Sequence, residues 1–281
     1  MVLNRDFFLA TGSHLTLLLT FGTVAFVLMW ESFSARRAFP HSSFVRSLNN
    51  FVLAVMERGL VSFLLPLLPL APPADYQGLL SRFDLPWWIS LPITAVCLEL
   101  AGYWFHRASH TVPWLWRVHL VHHSDTEVDA STAIRHHPLE GVLDTLVLTP
   151  VVLLLLPDPL VLLGWNFFTL AISAFSHGNI SVPLLERGFG RAIVTPGFHC
   201  VHHSSEKAFT DSNYANNFPW MDDLFGTARR WTAEEQRTRE MGLDYFRSDR
   251  DRWVDRLLLE PFLRQKPSAE PRARATGNSG R

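Results

Sequence analysis

Residues 86–110 read PWWISLPITAVCLELAGYWFHRASH. From Pro86 to Phe105 the only charge is Glu99, and about 20 mostly apolar residues are what a helix needs to cross the hydrocarbon core of a bilayer. Directly behind Phe105 come His106 and His110. On a continuing helix that i, i+4 spacing puts both imidazoles on one face, one turn apart. The stretch therefore predicts a membrane span that ends on a pair of metal-binding side chains.

Three other apolar stretches accompany it. One runs from Phe7 to Trp30, with His14 as its only ionisable group, and one from Phe51 to Pro72, with Glu57 and Arg58 near its start. The last, Val142 to Phe175, carries Asp144 and is interrupted by Pro157-Asp158-Pro159. It predicts a hairpin of two short arms that turns at the far surface. The charge distribution agrees. Of 51 charged residues, 24 fall between Met221 and Arg281, which leaves a charge-poor body and argues against an ordinary cytosolic enzyme. A formal net charge of -1 gives no basic face for phosphates, so nucleic acid is not an expected partner. With only Cys97 and Cys200, neither a disulfide scaffold nor a thiolate metal site is expected. Cys200 is expected to pack.

Arg36, Arg37 and Arg46 lie between the first two stretches, whereas the loop from Ala71 to Leu85 holds Arg82 alone. Positive-inside logic places the first loop in the cytoplasm. The third span then returns to that side, and every histidine-rich segment falls on one membrane face.

Eleven of the 13 histidines lie between His106 and His203. HLVHH supplies His119, His122 and His123, and HCVHH repeats the pattern with His199, His202 and His203. Between them stand RHHPLE, with His136 and His137, and SHGN, with His177. Imidazole suits iron, zinc, copper and nickel, and this many rings exceeds what one ion can use. A dinuclear site is the expectation. His14 and His41 stand alone and are read as surface or hydrogen-bonded residues.

HRASH, HLVHH and HCVHH, in that order behind an apolar span, resemble the fatty acid hydroxylase/sterol desaturase superfamily of integral-membrane di-iron oxygenases. LWRVHLVHHS, the R-x-H-P-L-E element at Arg135 to Glu140, TPGFHCVHHS and NYANNFPWMDDLFGT strengthen the likeness, which covers about residues 90 to 230. The resemblance implies an all-α fold: a multi-span helical membrane protein with a cytoplasmic helical cap holding a dinuclear metal site. Carried over position by position, it makes His106, His110, His119, His122, His123, His137, His177, His199, His202 and His203 the ligands. The family pattern has its histidine directly before the proline, which favours His137 over His136. The implied organisation is a transmembrane region over 1–85, a catalytic domain over 86–235, a C-terminal helical cytoplasmic segment over 236–264 and a disordered tail over 265–281.

The implied cofactors are two iron ions, although zinc can take the same nitrogen sites by affinity, with dioxygen as co-substrate. The substrate is a lipid or sterol drawn from the bilayer, in keeping with lipid biosynthesis, and the reaction hydroxylation. A desaturase, an ether-lipid monooxygenase and, from another class, a non-redox zinc hydrolase or metal transporter remain alternatives. No G-x-G-x-x-G fingerprint is present, so electrons must come from outside, from a cytochrome b5-like protein or a ferredoxin with its reductase. Trp87, Trp88, Tyr103, Trp104, Trp114 and Trp116 are candidates for a substrate entrance or an interfacial belt. Glu140, Asp211, Asn213, Asp222 and Asp223 are candidates for orienting imidazole N–H groups.

Overall fold

Five of the helices begin with proline at their first position, and those prolines set the path of the chain. In a computed structural model, residues 5–39, 44–68, 73, 75–83 and 85–265 are described, with side chains from Leu18 onward. The ring of His14, all of His41 and nearly all of the expected tail lie outside these. The main helices are α1 (Arg5–Ser34), α2 (Phe44–Leu64), α3 (Leu79–Arg82), α4 (Trp87–Thr111), α5 (Pro113–His123), α6 (Pro138–Leu155), α7 (Pro159–His177), α8 (Pro183–Phe189) and α9 (Pro196–His202). Short helices α10 (Lys207–Thr210), α11 (Trp220–Phe225), α12 (Ala233–Thr238) and α13 (Val254–Leu259) complete the cap. Among the described residues β-structure is limited to two isolated bridges, Ala35 with Ile180 and Ser204 with Met241.

Pro113, Pro138, Pro159, Pro183 and Pro196 open α5 to α9, where the missing N–H would have had no helical partner anyway. Pro113 also pushes Val112 into extended geometry, φ −95° and ψ 117°, which ends α4 and turns the chain. The ends of α4 and α5 thereby bring HRASH against HLVHH. The expected hairpin is present: Leu156 leaves α6 at φ 44°, and the Asp158 carboxylate caps α7 by accepting from Leu160 N.

Among the described residues four helices are long and apolar enough to cross a membrane: α2 with a short 3-10 extension (Phe44–Leu67), α4, α6 and α7. The two hairpin arms, at 18 and 19 residues, extend about 27–28 Å at 1.5 Å per residue, close to one hydrocarbon thickness. Helix α6 packs on α2 and α4, and α7 on α1 and α4. Phe21 of α1 meets Phe51 of α2 at 5.4 Å between ring centroids.

Two expectations change here. Helix α2 starts at Phe44 rather than near Phe51, which places Arg46 in its first turn. Arg46 is not a loop charge: it is 1% exposed, bonded to Asp125 at 2.8 Å and also to Asp129. Segment 236–264 is helical only in part, through the end of α12, a 3-10 turn at Asp249–Arg252, α13 and a final 3-10 turn. Gly242 at φ 82° and Phe246 at φ 56° break any continuous helix between them.

Candidate metal centre

The C-terminal ends of α4, α5, α7 and α9 converge and carry nine of the expected histidines in two groups. His106, His110, His119, His123 and His202 form one, and His122, His177, His199 and His203 the other. Within each group one ring nitrogen per residue lies within 4.8 Å of all the others. The groups touch: the rings of His123 and His203 are 4.8 Å apart at 24°, and those of His123 and His202 are 4.5 Å apart.

Hydrogen bonds orient five of the rings. Nδ1 of His106 donates to the Tyr214 carbonyl (2.8 Å), that of His202 to the Ser212 carbonyl (2.6 Å) and that of His177 to the Ser173 carbonyl (2.8 Å). Nδ1 of His119 donates to Glu140 Oε1 at 2.6 Å, and that of His110 to Asp211 Oδ1 at 3.3 Å. Spending the ring proton on an outer acceptor leaves the Nε2 lone pair facing inward. Burial keeps these and the other rings neutral as well. His122, His123, His199, His202 and His203 are held well below the ordinary histidine range by burial and by neighbouring imidazoles, and burial pushes His119 down to about 3.

These rings fit metal ions. Six buried ring nitrogens have no hydrogen-bond partner: Nε2 of His110 and His202, and Nδ1 of His122, His123, His199 and His203. Nε2 of His177 faces Nε2 of His122 at 3.2 Å and of His199 at 2.9 Å, with one lone pair for two neighbours. Four inter-ring N···N contacts measure 2.9–3.2 Å. Ligands at right angles around an ion bound at about 2.1 Å stand about 3 Å apart. A cation in each group gives a partner to the inward Nε2 atoms, those of His110 and His202 included, which a protein interior otherwise seldom leaves unpaired.

The tenth expected histidine is elsewhere. His137 lies in neither group; it caps α6, its Nδ1 accepting from Leu139 N at 3.2 Å, and its Nε2 lies 3.3 Å from the Leu258 carbonyl. His136 instead stacks on His122, 4.7 Å between centroids at 11°. Proline after His137 fixes that residue as the helix cap, a role the sequence pattern does not distinguish from ligation. Cys200 also stays out of both groups. Its thiol donates to the Gly197 carbonyl (3.4 Å), and burial pushes it up to about 11.

Among the five candidate orienting residues, Glu140 and Asp211 touch rings directly. Asp222 and Asn213 act through the backbone: Asp222 accepts from Tyr214 N and Ala215 N at 2.8 and 2.9 Å, and Asn213 donates to the Phe198 carbonyl at 2.8 Å. Asp223 pairs with Arg230 at the surface. Glu99, which the sequence marks only as the lone charge in a span, accepts from the backbone of Asn216, Asn217 and Phe218. It thereby ties α4 to the strip that carries Tyr214.

A cavity of about 520 Å³ runs between the spans to His106, His119, His122, His177 and His199. Apolar side chains such as Leu98, Phe105, Leu148 and Leu162 line it, together with Glu57, Arg58 and Asp144. None of the six candidate entrance aromatics does. Trp87, Trp88, Trp104 and Trp114 are exposed on the outside, Tyr103 is buried, and Trp116 packs on His110 and His123.

Residues 91–227 match the family model for fatty acid hydroxylase. This part of the chain is a fatty acid hydroxylase domain. The chain is 31% identical over 152 residues to human alkylglycerol monooxygenase, covering 52% of itself and 32% of that protein. It is 29% identical over 182 residues to the zebrafish (Danio rerio) alkylglycerol monooxygenase, covering 64% and 38%. Over 172 residues it is 33% identical to the very-long-chain aldehyde decarbonylase GL1-11 of Oryza sativa subsp. indica, covering 58% and 63%. The chain thus spans about a third of the alkylglycerol monooxygenases and less than two thirds of the decarbonylase. No solved structure matches it significantly. The fatty acid hydroxylase domain holds all nine grouped histidines.

Proposed function

We propose that the chain is an integral-membrane di-iron oxygenase that hydroxylates a C–H bond of a lipid or sterol. The observation that carries this reading is the meeting of two imidazole groups with the inner end of a cavity between membrane-length helices. Two ferrous ions would supply dioxygen reduction and cleavage of an unactivated C–H bond, chemistry that belongs to the cofactor. His106, His110, His119, His123 and His202 would hold one ion; His122, His177, His199 and His203 the other. Glu140 and Asp211 hold ring protons on the outer side and keep the inner nitrogens basic. The apolar cavity wall draws a hydrocarbon chain from the bilayer and keeps bulk water from the reacting carbon.

Electrons are supplied by a separate donor, cytochrome b5-like or a ferredoxin with its reductase, and the metal site faces the cytoplasm, as the arginines after α1 favour. The catalytic unit spans 86–235. Within the family the second reading is an ether-lipid monooxygenase, which the identity to the human alkylglycerol enzyme favours.

The test is anaerobic loading with ferrous iron, followed by oxygen uptake with an electron donor and a lipid extract. A product heavier by one oxygen supports hydroxylation, and one lighter by two hydrogens makes the chain a desaturase. Absence of lipid-dependent oxygen uptake, with hydrolysis restored by zinc, refutes the oxygenase.

A further inference from the structure

A second cavity, of about 380 Å³, lies beside the histidine groups, and His177 is the wall residue it shares with the first. Its character is opposite. The walls carry Arg36, Arg37, Arg237, Arg239, Arg247 and Arg252 against two carboxylates, Glu127 and Glu240. Five of these arginines have acidic partners. Arg36 pairs with Glu186 (2.5 Å), Arg237 with Glu234 (3.2 Å), Arg239 with Glu206 (2.6 Å), Arg247 with Glu240 (2.9 Å) and Arg252 with Glu127 (3.5 Å).

Arg37 differs. Among the described residues no carboxylate pairs with it; its Nη1 donates to the Arg239 carbonyl (2.5 Å), and its Nη2 is buried without a partner. The backbone around it is fixed. Arg37 N donates to Asn179 Oδ1 and Asn179 Nδ2 returns to the Arg37 carbonyl, both at 2.9 Å, while Arg36 N donates to the Asn179 carbonyl at 2.9 Å. A guanidinium preorganised in a cavity, with an unused buried donor and no counter-charge, is costly unless something anionic completes it.

We propose that this cavity is an oxyanion site, taking a carboxylate or phosphate group, with Arg37 as its main anchor and Arg237 as a flanking cation. The volume falls in the small-molecule range, and the planar fork of arginine matches two oxygens of such a group at once. The site joins the end of α1, the end of α7 and the C-terminal segment around Arg237 to Arg252. An anion there ties the cap to the spans and stabilises the folded chain. The oxyanion could belong to a free small molecule or to the headgroup of an anionic lipid, because the site borders the end of α7, one of the membrane-length helices.

The experiment uses the full, metal-loaded chain. Equilibrium dialysis with radiolabelled inorganic phosphate, at constant ionic strength in detergent, should give saturable binding. Arg37→Gln should weaken it at least about tenfold, the loss expected for one buried charge-assisted contact, and Arg230→Gln, at a surface pair elsewhere, should not. Should Arg37→Gln fail to fold, Arg237→Gln serves instead, since that side chain is 56% exposed; it should weaken binding severalfold. Reconstitution in phosphatidylcholine nanodiscs, with and without phosphatidylglycerol, separates the sources. Loss of phosphate binding only with phosphatidylglycerol assigns a lipid headgroup, and unchanged binding in both assigns a free anion. No saturable phosphate binding in detergent, or equal binding by the wild type and the folded variants, overturns the proposal.

Discussion

His122 and His202 are the fourth residues of the two H-x-x-H-H segments, and each crosses to the group that the other segment supplies. His119 and His123 share a group with His202, whereas His199 and His203 share one with His122. The geometry follows from helical phase. Positions i and i+4 share a face one turn apart, and i+3 leans to the other side of it. Two such helix ends set against each other exchange their i+3 rings. The repeated motif is therefore the device that makes two histidine groups rather than one.

From this exchange, removing either crossing ring should damage the centre nominally built by the other segment. His122→Ala and His202→Ala should each lower bound metal from about two ions toward about one, given the loss of an imidazole from a set of four or five. His137→Ala should retain full metal, because that ring caps α6. His136→Ala, beside His122, should have an intermediate effect. Metal analysis of purified variants checks all four.

Glu140→Gln keeps an acceptor for the His119 ring proton but removes the charge. An outer partner of this kind is worth about 10–100-fold in metal affinity, so competition with a chelator should show a weakening of that order. Glu140→Ala should lose more.

Arg46 sits among Asp125, Asp129 and Glu127, all buried. Arg46→Ala strands those carboxylates, and breaking a buried ion pair from one side costs about 3–5 kcal/mol. A clear fall in melting temperature is expected. Arg230→Ala, at an exposed pair, should change it little.

Burial pushes the Glu260 carboxyl up to about 8, against the opposing pull of Arg135. The folded chain then holds a proton that the unfolded chain releases near 4.5. The native state binds more protons between these limits, so this contribution is full below about pH 4.5 and is lost as pH rises through about 8. The slope is about 1.4 kcal/mol per pH unit. Glu260→Gln should flatten the fall in melting temperature between pH 5 and 8; an unchanged slope assigns the loss to another group.

A Cβ on Gly141 would collide with the Glu57 side chain, with Cδ at 2.7 Å. Both residues line the cavity between the membrane-length helices. Gly141→Leu should leave the metal content intact and lower lipid-dependent oxygen uptake at least about tenfold by filling space that a chain must occupy.

Three of the four apolar stretches, the hairpin at Pro157-Asp158-Pro159 and the grouping of nine histidines were legible because each rests on a local pattern: apolar length, a proline break, or i, i+3, i+4 spacing. His137 was misleading for the same reason, since a histidine before proline reads alike as ligand or cap until the path of α6 is known. The roles of Arg46 and Glu99 were not legible. Both depend on partners 79 to 119 residues away, a relation no sequence spacing encodes. The cavity is likewise a property of how seven helices meet, and so the tryptophans that suggested an entrance lie outside it.

The most direct test of the two-centre account is anaerobic titration of the apo chain with ferrous iron, with bound metal counted after gel filtration. Two ions per chain, falling to one in His122→Ala and in His202→Ala, is the predicted result. Saturation at one ion, or a stoichiometry indifferent to both substitutions, contradicts it.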